Sequence, residues 1–153
     1  MWCVDIYYKT ISESGKQMIN YVCKYAPVEL FKGFGQECAV LEEMPENFDK
    51  SDKIAHANLC GFGKSVIQAV LEGKVEELVL VNCCDSMRRV YDIIENTKKC
   101  KFLYMLDLPH EDNECENIKF AQSILRLKNA YERYSHRTFD RELFIKSFEK
   151  PQS

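Results

Sequence analysis

The run Leu78-Val79-Leu80-Val81-Asn82-Cys83-Cys84-Asp85-Ser86-Met87-Arg88-Arg89-Val90 decides the fold. Its first half, Leu78 to Cys83, is nearly continuously apolar, the pattern of a central parallel strand covered by helices on both faces. Its second half changes period. Met87, Val90, Ile93 and Ile94 fall on one stripe of a helix expected from Ser86 to Asn96, with Asp85 as its N-cap. A strand that turns directly into an amphipathic helix is the building unit of an α/β protein.

The same unit recurs on both sides. Met18–Cys23, Glu37–Leu41 and Phe102–Asp107 read as further strands, the last again as a central one. Pro27 suits the first position of a short helix ended by Gly33 or Gly35, with Glu29 at its positive end. Asp52 to Glu72 has helical composition, broken into two pieces by Gly61 and Gly63 around Cys60. A long helix is expected from Asn117 to Tyr134, and a last one capped by Thr138 and stopped at Pro151. The sum is βαβαβαβα: α/β class, a Rossmann-like three-layer domain with a mostly parallel four-stranded sheet. Residues 16–153 read as that single domain, behind a leading segment 1–15 that carries no assigned element. Right-handed crossovers would bring all strand carboxyl ends to one edge, where open α/β sheets bind ligands.

Composition narrows the function. With 153 residues, 46% of them apolar, the chain has enough material for one core. A net charge of −3 argues against a nucleic-acid surface. No apolar run approaches the ~18 residues of a membrane span, and Met1–Ile6 lacks the basic start of a signal peptide, so the chain reads as cytoplasmic. Eight cysteines are then in excess of ordinary usage, in a compartment where disulfides are not expected. Their spacing contains no CxxC, CxxxC or zinc pattern, so any shared chemistry needs thiols gathered from distant points by the fold.

Three strand ends carry unusual residues: Cys23 to Glu29, Cys83-Cys84-Asp85, and Asp107 to His110. Cys60 lies between the second and third strands. Gly61 and Gly63 let backbone approach a bulky inorganic or phosphate group there, and the following helix start favours a thiolate. Cys84 has the same surroundings at a strand-to-helix turn, whereas alternation along the strand sends Cys83 towards the sheet interior. Cys3, Cys38, Cys100 and Cys115 read as ordinary thiols. Asp85 reads as a cap, Asp107 with Pro109 as a strand-ending turn, and the loop His110–Glu116 as solvated surface. Arg88 and Arg89 either meet phosphates or lie solvated on their helix. His56, His110 and His136 have no partner at metal or triad spacing.

Tyr21-Val22-Cys23-Lys24-Tyr25-Ala26-Pro27-Val28-Glu29-Leu30, Leu59-Cys60-Gly61-Phe62-Gly63-Lys64, Asn82-Cys83-Cys84-Asp85-Ser86-Met87-Arg88-Arg89 and Leu106-Asp107-Leu108-Pro109 occur in an order that resembles a known family. It is that of the 2-hydroxyacyl-CoA dehydratase subunits, including 2-hydroxyglutaryl-CoA dehydratase and the related benzoyl-CoA reductase and double-cubane cluster proteins. The resemblance runs from about Lys16 to Lys150.

It implies a [4Fe-4S] cluster held by three cysteines, of which Cys60 and Cys84 match the first two. The family's third ligand comes from a C-terminal region without counterpart here, so the chain is expected to correspond to the N-terminal half of a subunit. The further ligand is then either Cys23 or a residue of another polypeptide. The resemblance also implies a carbon–oxygen lyase reaction, radical elimination of water from a 2-hydroxyacyl-CoA to an enoyl-CoA. Expected partners are the acyl-CoA, a second dehydratase subunit or the missing half, and a separate activator that alone uses ATP. Two alternatives share the motifs: a double-cubane reductase relative, for which Cys83-Cys84 would supply extra ligands, and a non-catalytic or truncated cluster-binding subunit. No proton-transfer residue is assigned, and neither nucleic acid nor membrane is expected as a partner.

Overall fold

The computed structural model describes residues 18–42 and 44–149; the leading segment 1–15, Cys3 and the stop at Pro151 lie outside them. In strand β3 (Glu77–Val81) every residue is buried. Leu78 and Leu80 enter one hydrophobic cluster, Val79 and Val81 another on the opposite face, as the two-residue period of a strand requires. The apolar run in the sequence is therefore two interleaved faces, each covered.

Strands β1 (Ile19–Tyr21), β2 (Cys38–Val40) and β4 (Phe102–Leu106) join β3 in one all-parallel sheet of order β2-β1-β3-β4. The register sets Ile19 beside Cys38, Asn20 beside Leu78 and Glu77 beside Phe102. Helices α1 (Val28–Lys32), α2 (Gly61–Leu71), α3 (Asp85–Thr97), α4 (Glu114–Ser135) and α5 (Arg141–Lys146) follow in alternation, with a 3-10 turn at Ser51–Lys53. Val66, Ile67 and Val70 of α2 and Met87, Val90 and Ile94 of α3 pack on one face. Leu30 and Phe31 of α1 and Leu127 and Tyr131 of α4 pack on the other. This is the expected three-layer, Rossmann-like arrangement.

Several boundaries differ from expectation. β4 is an edge strand, paired with β3 alone; its apolar character reflects helices over both faces rather than strands on both sides. Pro27 is the N-cap of α1 instead of its first residue. Gly61 and Gly63 open α2 instead of breaking a longer helix, and residues 54–60 are non-helical. The cap of α5 is Asp140, whose carboxylate accepts from the amides of Glu142 (2.8 Å) and Leu143 (3.2 Å), not Thr138. α4 begins at Glu114, capped by the Asn113 side chain, which accepts from the Glu116 amide at 2.9 Å.

A buried polar side chain holds the long connection between β2 and α2. The Gln68 carboxamide oxygen accepts from the amides of Lys50 (3.1 Å) and Ser51 (2.9 Å), and its nitrogen donates to Glu72 at 2.7 Å. These bonds satisfy backbone donors that would otherwise be desolvated without partners. On β2, burial first and then the Glu37 carboxylate push the Cys38 thiol up to about 12. An unfolded chain ionises such a thiol near ~8.5, so the stability tied to its protonated form is complete below that value and is lost as pH rises towards the folded value. The urea midpoint is therefore expected to fall between about pH 8 and pH 11, and to fall less in Cys38→Ala.

Candidate functional site

The order β2-β1-β3-β4 places a switch point between β1 and β3, because the chain leaves β1 first to one side and later returns to the other. Crevices at such points, outside the strand carboxyl ends, are where open parallel sheets bind ligands. Cys23 follows β1 there, and Cys83 and Cys84 follow β3. Helix α2 starts at the same edge behind Cys60. The neighbours Val22, Leu59 and Met87 share a single buried cluster, so one core fixes the segments that bear Cys23, Cys60 and Cys84.

Each thiol has a distinct setting. Cys60 is the exposed N-cap of α2, and its Sγ accepts from the Gly63 amide at 3.3 Å. Cys84 is the exposed N-cap of α3, in extended conformation and with no side-chain capping bond. Asp85 is thus the first helical residue rather than the cap, and its carboxylate complements the positive end of α3. Cys23 is half-buried and has a φ of 83°, a left-handed conformation that costs a non-glycine residue about 1–3 kcal/mol.

Cys83 departs from expectation: it is exposed instead of pointing into the sheet. The strand ends at Val81, and the Cys83 amide turns back to donate to the Val81 carbonyl at 2.8 Å, so strand alternation no longer governs it. Partial burial of its sulfur, followed by the neighbouring Cys23 and Cys84 thiols, pushes the Cys83 thiol up to about 11.

Gly63 does more than donate to Cys60. A Cβ at this position would meet Val90 Cγ2 at 3.0 Å and Leu59 Cγ at 3.2 Å, so its bare backbone is what lets α2 approach α3. A Cβ at Gly61 would meet nothing within 4 Å. Gly63→Ala is expected to overpack this contact and cost about 1–3 kcal/mol, read as a lower urea midpoint; an unchanged midpoint would show that the helices part freely.

Asn82 is a site residue that the sequence reading passed over. Its Nδ2 donates to Asp107 Oδ1 at 2.7 Å, and its Oδ1 accepts from the Leu108 amide at 2.7 Å. The pair of bonds ties the Cys83-Cys84 turn to the end of β4, and gives Asp107 a partner beyond its own turn. A polar residue ending an otherwise apolar strand was the available signal. Lys64, next to Gly63, pairs with Asp52 of the 3-10 turn at 2.8 Å.

Other singled-out residues stand apart from the thiols or serve local structure. Glu29 lies in the first turn of α1. Arg88 and Arg89 are exposed on α3, and residues 110–116 are exposed apart from Glu116. His56 Nδ1 accepts from the Asn58 amide at 3.1 Å, the His110 amide donates to Glu116, and His136 closes α4 with a φ of 55°. Cys38 lies on β2, Cys100 precedes β4 and Cys115 is exposed in the first turn of α4.

Among the described residues, no three His, Cys, Asp or Glu side chains surround a single metal-ion position. The donor set is of another kind: exposed thiols on loops and helix starts at one edge, Cys60 and Cys84 at two adjoining helix N-termini. Soft thiolates spread over separate segments suit the separate corners of an iron–sulfur cluster better than one hard ion. Among the described residues, no helix is long and apolar enough to cross a membrane. A family model described as 2-hydroxyglutaryl-CoA dehydratase, D-component, matches residues 23–152. No curated protein matches the chain.

Proposed function

The chain belongs to the 2-hydroxyglutaryl-CoA dehydratase D-component family, and from that premise we propose that it holds, through Cys60 and Cys84, a [4Fe-4S] cluster of a 2-hydroxyacyl-CoA dehydratase. The observation that carries the reading is that both cysteines are exposed N-caps, of α2 and of α3, at one sheet edge. An N-cap position sets its side chain beside the unpaired amides that open a helix, at the positive end of the helix dipole. The Gly63 amide already points at Cys60 Sγ.

When bound, the cluster supplies one-electron chemistry at low potential, which through reduction of the thioester carbonyl makes the α-hydroxyl of a 2-hydroxyacyl-CoA a leaving group and yields the enoyl-CoA. The chain's own contribution is placement. Gly63 sets the spacing of the two helices that present Cys60 and Cys84, while Asn82 fastens the turn before Cys84 to β4. Cys23 is the further thiol that this chain can offer; a second dehydratase subunit, or the remainder of a longer subunit, is the other source. An ATP-hydrolysing activator is the electron donor in this reading, and the acyl-CoA is the substrate.

Anaerobic loading with iron and sulfide tests it. Bound iron and sulfide in near-equal amounts, with visible absorption that bleaches on reduction, are expected. A chain that retains no iron above background would end the proposal.

A further inference from the structure

We propose that the chain pairs with a second copy of itself through the outer edge of β4, the two edges running antiparallel about a twofold axis beside Tyr104 and joining the two sheets. Among the described residues, β3 is the only strand beside β4. The Phe102 amide and the Leu106 carbonyl both point to β3's side, the first donating to the Glu76 carbonyl at 3.3 Å and the second accepting from the Asn82 amide at 3.1 Å. Backbone groups alternate between the two edges of a strand, so the amides and carbonyls of Leu103 and Met105 point away from the sheet. Such a row of groups is a template for another strand.

Within β4, Phe102-Leu103-Tyr104-Met105-Leu106, there is no charge, no proline and no break in register of the kind that keeps an edge from pairing. The opposite edge is blunted by length instead, since β2 has three residues. Leu103, Tyr104 and Met105 are only partly buried by the helices over the two faces. Apolar surface therefore remains along the edge for a second copy to cover.

Charge selects both the orientation and the occupant. Lys101 precedes β4 and Asp107 follows it. Parallel pairing in register would lay lysine on lysine and aspartate on aspartate. Antiparallel pairing centred on Tyr104 overlaps the whole strand and lays each Lys101 opposite Asp107 of the second copy. In the same register Leu103 faces Met105 of the second copy, and these are the residues whose outward amides and carbonyls can exchange bonds. The two Tyr104 rings meet at the axis and extend the stack that Phe102 and Tyr104 already form at 6.3 Å. Lys101 holds Glu76 at 2.7 Å with both side chains half exposed, and Asp107 meets Asn82 through Oδ1. An ammonium has three donors and a carboxylate two oxygens, so both contacts can persist in the pair. A second copy supplies the complement by symmetry, and pairing edge to edge closes the assembly at two chains. The strand carboxyl ends of the two copies then point to opposite ends of the joined sheet. Each copy keeps its own Cys60 and Cys84, and the pairing needs no cluster.

The test follows the full metal-free chain by sedimentation velocity from about 1 to about 100 µM, in dithiothreitol so that no thiol bridge joins the copies. A reversible dimer of the 17.9 kDa chain is expected; a monomer throughout would overturn the proposal. Met105→Pro removes an outward amide and no bond to β3. It is expected to leave a monomer with an unchanged far-ultraviolet spectrum, and a folded Met105→Pro chain that still dimerises would overturn the β4 edge. Lys101→Glu and Asp107→Lys decide the question even where the proline variant fails to fold. Each alone sets like charges at both ends of the interface and is expected to weaken association roughly tenfold. Mixed in equal amounts, the two variants bring unlike charges back to both ends, and a heterodimer of wild-type affinity is expected. A mixture that associates no better than either variant alone would overturn the register and the proposal with it.

Discussion

Cys84→Ser is expected to bring bound iron down to background after anaerobic loading while leaving the fold intact, and Cys60→Ser to do the same. The two outcomes can be separated because of where the residues sit. Both are N-caps, of α3 and α2, and serine is among the best N-cap residues. At position 60 a serine oxygen can take over the bond now made by the Gly63 amide to sulfur. At position 84, where no side-chain capping bond exists, a serine can add one. Thermal midpoints should therefore stay level or rise, while a soft thiolate is exchanged for a hydroxyl that holds iron–sulfur clusters poorly. Cys115→Ser, at an exposed position in the first turn of α4, should retain its iron. Iron that survives both cap substitutions would show that the ligands are elsewhere.

Tyr131→Ala is expected to cost about 3–5 kcal/mol, the range for emptying a large aromatic site in a core. Against a typical domain stability of ~5–15 kcal/mol, that is enough to leave a large unfolded fraction in mild denaturant. Tyr131 is 1% exposed and meets three rings nearly edge-on: Phe31 at 5.2 Å, Phe34 at 5.1 Å and Phe102 at 5.2 Å between centroids. It thereby joins α4 to α1 and to β4, and no single element can move in to fill its space. Burial also raises its hydroxyl above the ordinary tyrosine range, so the group stays neutral at any practical pH. Urea unfolding of Tyr131→Ala beside Tyr131→Phe measures the ring separately from the hydroxyl. A loss below ~1 kcal/mol for the alanine variant would mean that the surrounding helices collapse onto the gap.

The layered fold was legible because Leu78–Val81 and its neighbours carry their faces in local periodicity. The positions of Cys60 and Cys84 at helix starts were legible for the same reason: glycine and a change of hydrophobic period mark those junctions. What could not be read locally was any feature set by an exact element end. Asp85 and Thr138 are good capping residues, yet Cys84 and Asp140 occupy the caps, since the end of the preceding segment decides which residue takes the capping dihedrals. Cys83 illustrates the cost of a similar error. Had the strand continued, its side chain would face the interior; the turn after Val81 exposes it instead. The clamp made by Asn82 depends on where β4 ends. It is a contact between distant segments and leaves no trace in the local pattern.

The non-sequential pairing of β1 with β3 also imposes a timetable. At ~5–20 residues per second, synthesis adds Cys83 roughly 3–12 s after Cys23. During that interval β1 can pair only with β2, and Cys23 waits on a half-built sheet edge. In the function proposed above, a group held by Cys23 together with Cys84 finds both anchors only once this crossover is complete. Its loading is then expected after β3 has slotted beside β1, late in maturation and not as a nucleus for folding.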